Sequence, residues 1–231
     1  MNYCAVSFVF VWFVCAMAVA QPPLPAFPGA EGAGAHAKGG RGGEVIFVTN
    51  LDDDGPGSLR AACTLDAPRT VIFRVGGVIT LTKPIKIAAG QLTIAGQTAP
   101  GDGVCLRGAG LSIAADDVVV RYLRIRPGDI LGKEEDGLCL SDARDVIVDH
   151  CSVSWAVDEV LSVVGTSDNV SVQWCIIAEA LHHSVHKKGP HSMGSLLRSE
   201  SGTYSFHHCL YAHNNTRNPR PGDNYDGGPG V

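Results

Sequence analysis

Apolar and polar residues alternate with a period of two through much of this chain, in short runs punctuated by Gly, Asp, Asn and Ser. Five runs begin alike when aligned: LTIAGQ at 92, VVVRYLRIR at 118, VIVDHCSVS at 146, VSVQWCIIAE at 170 and YSFHHCLYAH at 204. Their starts lie 26, 28, 24 and 34 residues apart, a loose period that predicts a solenoid rather than a sandwich. Each run is rich in β-branched residues and too short to bury its apolar face alone, so successive coils have to stack on one another. The predicted fold class is all-β, a right-handed parallel β-helix.

The alternation changes phase at the same point of the last three runs. Inward positions begin as Val146 and Val148, Val170 and Val172, or Tyr204 and Phe206. They resume as Cys151 and Val153, Cys175 and Ile177, or Cys209 and Tyr211. The switch predicts a corner between two short strands and puts Cys151, Cys175 and Cys209 in one column, about 5 Å from coil to coil. A ladder of small apolar thiols accounts for them without bonds and is preferred, because adjacent strands seldom present disulfide geometry; disulfide or metal ligation stays open. With Cys63, Cys105 and Cys139 the chain after its first twenty residues holds six cysteines, an even count that permits disulfides in an exported protein.

Composition changes the picture at the N-terminus. MNYCAVSFVFVWFVCAMAVA is apolar and closes on an Ala-x-Ala pattern, so residues 1–20 read as a signal peptide cut near Ala20, with a retained anchor as the alternative. Residues 21–231 then form a single domain with no membrane segment, secreted and monomeric. Low aromatic content and 28 glycines favour strands and tight turns over a helix bundle. A net charge of -5 selects no partner, and no nucleic-acid partner is expected. Asn169 and Asn214 open sequons and are candidate glycan sites. The glycine-rich stretch within 27–60 lacks the Gly-Lys-Ser or Gly-Lys-Thr of a phosphate loop and reads as a cap over the first coil.

Three clusters could carry chemistry. GKEEDGLCLSDARD supplies Glu134, Glu135 and Asp136, followed by Asp149, Asp158 and Glu159, carboxylates of the kind that hold calcium. Glu134 and Glu135 read as solvated turn residues, whereas Asp136 and Asp158 sit at strand edges where neighbouring coils converge. EALHHSVHKKGPHSMGSLLR holds His182, His183, His186, Lys187, Lys188, His191 and Arg198. Its histidine spacing fits no familiar zinc helix, so it reads as a basic surface for an anionic or hydroxyl-rich ligand. In TRNPR, Arg217 and Arg220 flank Pro219, and a guanidinium fork suits a carboxylate better than an ammonium does.

Taken together, FPGAEGAGAHAKGGRGG, VTNLDDDGPGSLR, TIAGQTAPGDGVCLRG, VVVRYLRIRPGD, DVIVDHCSVSWAVDE, VSVQWCIIAEAL and FHHCLYAHNNTRNPR resemble the pectate lyases of polysaccharide lyase family 1, from about Phe27 to Arg220. The resemblance implies a calcium-dependent parallel β-helix that cleaves α-1,4-polygalacturonate by β-elimination. It implies Asp136 and Asp158 as Ca2+ ligands. The family has a further aspartate where Ser162 stands here, and adjacent Glu159 is the candidate to replace it. Lys188 matches the lysine that holds a substrate carboxylate. Arg217 matches the arginine assigned as Brønsted base, or else stabilises an enolate while hydroxide takes the proton. Arg220 would hold substrate or the local fold. The family continues past Arg220 with a further coil and cap, so this solenoid is expected to lack its C-terminal coil. Two other readings remain: a polygalacturonase-type hydrolase working through paired carboxylates, and a pectin-binding β-helix without activity.

Overall fold

A computed structural model describes residues 23–200 and 202–222. The signal-peptide reading of 1–20 lies outside the described residues. The chain winds through three parallel sheets whose strands follow one another in space in the order of the chain. The first sheet has seven strands, Glu44–Val48, Arg69–Phe73, Leu92–Ala95, Val118–Arg121, Arg144–Asp149, Asp168–Gln173 and Tyr204–His207. The second has six, Gly77–Thr80, Val104–Arg107, Leu123–Arg126, Ser152–Ser154, Ile176–Ala178 and Leu210–Ala212. The third also has six, Ile85–Ile87, Leu111–Ile113, Leu138–Ser141, Glu159–Gly165, Met193–Ser199 and Arg220–Pro221. This is the parallel β-helix that the spacing predicts, and each of the five aligned runs begins in a strand of the first sheet.

Register turns the sequence alternation into a core. Val118, Val146 and Val170 stack in one column, Val120, Val148 and Val172 in the next, all fully buried. In the third sheet Leu111, Leu138 and Leu161 continue the interior, with Ile113, Leu140 and Val163 beside them. The phase switch has a backbone cause. Tyr122, His150, Trp174 and His208 all adopt left-handed conformation, with φ from 51° to 55°, and each turns the chain from the first sheet into the second. One residue at positive φ reverses the face on which the next side chain falls. Their rings stack along the outside, Trp174 on His208 at 4.1 Å and Tyr122 on His150 at 4.7 Å. The cysteine column forms as well: Cys151, Cys175 and Cys209 are free thiols whose sulfurs lie against strand carbonyls, and the other three cysteines among the described residues are free too.

Covering the first coil falls to a short helix, Leu59–Thr64, which packs Leu59, Ala62 and Cys63 into the core. Ser58 caps it by accepting from the Ala61 N–H, and fully buried Arg69 donates to the carbonyls of Ala62 and Cys63 in its last turn. The glycine-rich residues before it do something else. Instead of lying over the coil, they run as a strap along the outer face of the first sheet. Gly34 N–H donates to Ser171 Oγ, Lys38 N–H to Asp117 and Gly40 N–H to Thr93 Oγ1. A Cβ on Gly34 would overlap the Val146 carbonyl oxygen and one on Gly40 that of Arg69, so glycine is required for this close approach rather than for any ligand. Ala37 and Phe27 bury outward-facing Val119 and Ile147 beneath the strap.

Candidate functional site

The interval of 34 residues between the last two runs, against 24 before it, reflects a loop inserted between Ile176–Ala178 and Met193–Ser199. That loop closes on itself through His191 N–H to the His182 carbonyl and stands beside the segment that leads into Leu138–Ser141. Lys187 joins the two, its N–H to Glu134 at 2.7 Å and its Nζ to the same carboxylate at 2.9 Å. Glu134, read from sequence as a solvated turn residue, is thus the anchor of the loop. The contact with Lys187 lowers the Glu134 pKa, and Glu134 raises that of Lys187.

Asp136, Asp158 and Glu159 come together at the start of two neighbouring strands of the third sheet, with one carboxylate oxygen of each within 4.8 Å of the others. The Glu159 N–H donates to Asp136 Oδ1 at 3.1 Å, and the Asp158 N–H to the Glu135 carbonyl, which fixes the coils in register. Burial pushes the Asp136 carboxyl up to about 7, and the charge of Asp158 adds to the rise. Ser162, three residues beyond Glu159 in the same strand, is buried with its hydroxyl unbonded; it lies near Asp136 and lowers its pKa without reaching hydrogen-bond geometry. Arg217 enters from the last described coil and pairs with Glu159. Its backbone is at φ 60°, and its carbonyl accepts from the N–H of Ser195 at 2.5 Å. Gly194 leaves the space for that approach, since a Cβ there would overlap the Arg217 carbonyl oxygen.

Two histidines complete the wall. His191 Nε2 lies 2.9 Å from Asp158 Oδ1, and the buried His186 ring stacks on His191 with centroids 3.6 Å apart. His186 Nδ1 accepts from the Lys188 N–H, so the ring carries its proton on Nε2, which points between Asp158 at 3.7 Å and Glu134 at 3.9 Å. His191 thus orients a carboxylate and buried His186 backs its ring, whereas the sequence placed both on an open basic surface. Lys188 itself is exposed. Arg220 is exposed on the outermost strand of the third sheet, in register with Leu196, which pairs in turn with Ser162. It therefore stands two strand spacings, about 10 Å, from Ser162. Asp149 does not join the cluster: it is fully buried under the strap, held by Arg121 Nε and Gln173 Nε2, both at 2.7 Å. The Asn214 sequon side chain is likewise committed, donating to the Ile177 carbonyl and accepting from the Ala180 N–H.

An oxygen-only donor set of three carboxylates, one of them half-buried with a raised pKa, suits a hard divalent cation. Arg217 sets a positive charge against it, and Lys188 and Arg220 are exposed cations on the inserted loop and the last described strand, respectively.

No family model matches the chain. It is 46% identical over 198 residues to a protein of Emericella nidulans named probable pectate lyase C, a match covering 85% of this chain and 45% of that one. It is 45% identical over 208 residues to the probable pectate lyase C of Aspergillus fumigatus, covering 90% of this chain and 47% of that one. The chain spans about half the length of the curated relatives it matches. Among solved structures it is similar in fold to Jun a 1, the major allergen from cedar pollen, with a TM-score of 0.57 and 19% identity over 78% of this chain and 61% of that one. The relatives bear the name of the family that the motifs resemble.

Proposed function

We propose that this chain is a secreted pectate lyase that cleaves α-1,4-linked polygalacturonate by calcium-assisted β-elimination. The observation that carries the reading is the convergence of Asp136, Asp158 and Glu159 with Arg217 set against them. The curated relatives named pectate lyase support the same chemistry.

Asp136, Asp158 and Glu159 would hold the calcium, with the Ser162 hydroxyl beside them. A bound calcium supplies Lewis-acid withdrawal of charge from the uronate carboxylate, which acidifies the proton on carbon 5. The remaining tasks fall to the protein. His191 holds Asp158 in place, and His186 stacks behind it. Lys188 and Arg220 take the carboxylates of neighbouring sugar units, so that the chain lies along the outer face of the third sheet. Arg217, an arginine and therefore a cation at working pH, faces the negative charge that develops as the carbon 5 proton leaves; hydroxide then serves as base. The carbon–oxygen bond at carbon 4 breaks, the glycosidic oxygen takes a proton from water as it leaves, and a double bond forms between carbons 4 and 5.

The hydrolase alternative fits less well. Hydrolysis needs paired carboxylates flanking the bond, whereas here Glu159 is paired with Arg217, and the site comes with a set of cations that hydrolysis does not require. The test is the ultraviolet absorbance of polygalacturonate incubated with the purified chain at alkaline pH, first with calcium and then with chelator. Absorbance that rises only with calcium supports the lyase. A flat trace from a folded sample that still binds the polymer leaves a binding module, and new reducing ends without absorbance leave the hydrolase.

A further inference from the structure

On a different sheet, Glu31, His207 and His208 form a second constellation, with one ligand atom of each within 4.8 Å of the others. Consecutive residues of a strand normally point to opposite faces. Here His208 sits at φ 54°, directly after the strand Tyr204–His207, and its ring swings back toward His207. The two Nδ1 atoms are 2.9 Å apart, so a proton or a cation must lie between them. Stacking on Trp174 at 4.1 Å holds the His208 ring. Glu31 comes from the strap, and its backbone is pinned on both sides: its N–H donates to Gln173 Oε1 at 3.0 Å and its carbonyl accepts from Ser171 Oγ at 2.7 Å.

We infer that Glu31, His207 and His208 bind a zinc ion that clasps the N-terminal strap to the last described coil of the first sheet. Two imidazoles and a carboxylate are a zinc donor set that leaves a fourth position to water. The imidazole nitrogens distinguish it from the all-oxygen cluster, which favours calcium. The other histidine cluster, Asp158 with His186 and His191, is less suited, because the Lys188 N–H occupies His186 Nδ1 and keeps a proton on the Nε2 that faces Asp158, whereas His207 Nε2 has no hydrogen-bond partner and can take the proton when Nδ1 binds a metal. The clasp would close the strap at the end where Gly32 to Gly34 approach the sheet, adding a bond between segments more than 170 residues apart in the chain.

Isothermal titration of zinc chloride into chelator-stripped, dialysed full chain tests this, with amide exchange of residues 26–37 measured in parallel. The expected result is one equivalent of zinc, not displaced by calcium. Glu31→Gln weakens it at least about tenfold, His208→Ala abolishes it and Asp158→Asn leaves it unchanged. Zinc should also slow exchange in the strap of the native protein but not of Glu31→Gln. Absence of zinc binding, or binding that Glu31→Gln and His208→Ala leave intact, overturns the site. Binding without strap protection overturns the clasp. Because Glu31 is exposed, Glu31→Gln stays informative even if His208→Ala fails to fold.

Discussion

Asp136→Asn sets the interest of the fold against that of the site. Burial raises the Asp136 carboxyl from an ordinary 3.8 to about 7. A carboxyl with a raised folded pKa keeps its proton longer in the folded chain. Its contribution to stability is therefore greatest below the unfolded value, declines as pH rises from about 4 to about 7, and is level above that. At ~1.4 kcal/mol per unit, a displacement of about three units amounts to roughly 4 kcal/mol. Asp136 is half-buried and solvent relaxes part of this, so about 2–4 kcal/mol is expected. Asparagine keeps the acceptor for the Glu159 N–H and removes the charge. Urea unfolding in chelator at pH 5 and pH 8 measures the difference. About two fifths of the difference is already present at pH 5, so the variant should lead by roughly 1–1.5 kcal/mol there and by the full amount at pH 8. Saturating calcium should reverse the order at pH 8, since only the native protein has the full ligand set. Parallel pH profiles for the two proteins, or a variant less stable in chelator at pH 8, would refute the reasoning.

Ser162→Asp adds a fourth carboxylate beside Asp136; its thermal midpoint in chelator should fall and its calcium affinity, by titration calorimetry, should rise at least about tenfold. Gly40→Ala drives a methyl group into the Arg69 carbonyl and should cost roughly 1–3 kcal/mol in urea unfolding while speeding proteolysis of the strap; an unchanged profile would show that the strap does not lie as described. Asn214→Ala leaves the Ile177 carbonyl and the Ala180 N–H without their partner and should destabilise by about 2 kcal/mol, measured the same way.

Much of this was legible because a solenoid writes its period into the chain. The strands from Leu92 onward in the first sheet, the corner and the thiol column all follow from alternation and its change of phase. Glu44–Val48 was not legible as a coil, since Val45 and Phe47 face outward on an edge strand and erase the period of two. Arg69–Phe73 begins on an arginine that is fully buried because backbone carbonyls surround it, a circumstance that no local pattern reveals. The third sheet is separated from the others by turns of unequal length, so it left no fixed spacing. At the site, the edge positions of Asp136 and Asp158 marked them, and the structure gathers both with Glu159. Glu134, His186 and His191 were misjudged because their partners lie 28 to 53 residues away across the inserted loop. The strap glycines offered a motif whose cause, contact with distant carbonyls, is visible only in three dimensions.

We propose an elimination at the Asp136, Asp158 and Glu159 cluster with Arg217. It is tested most directly by the initial rate of unsaturated-product formation from polygalacturonate in calcium, for the native protein, Arg217→Lys and Asp158→Asn, each verified as folded. The account predicts calcium-dependent product from the native protein and a loss of at least about 100-fold in both variants, with excess calcium restoring part of the activity of Asp158→Asn only. Equal rates in all three proteins, or products that have gained water in place of a double bond, would contradict it.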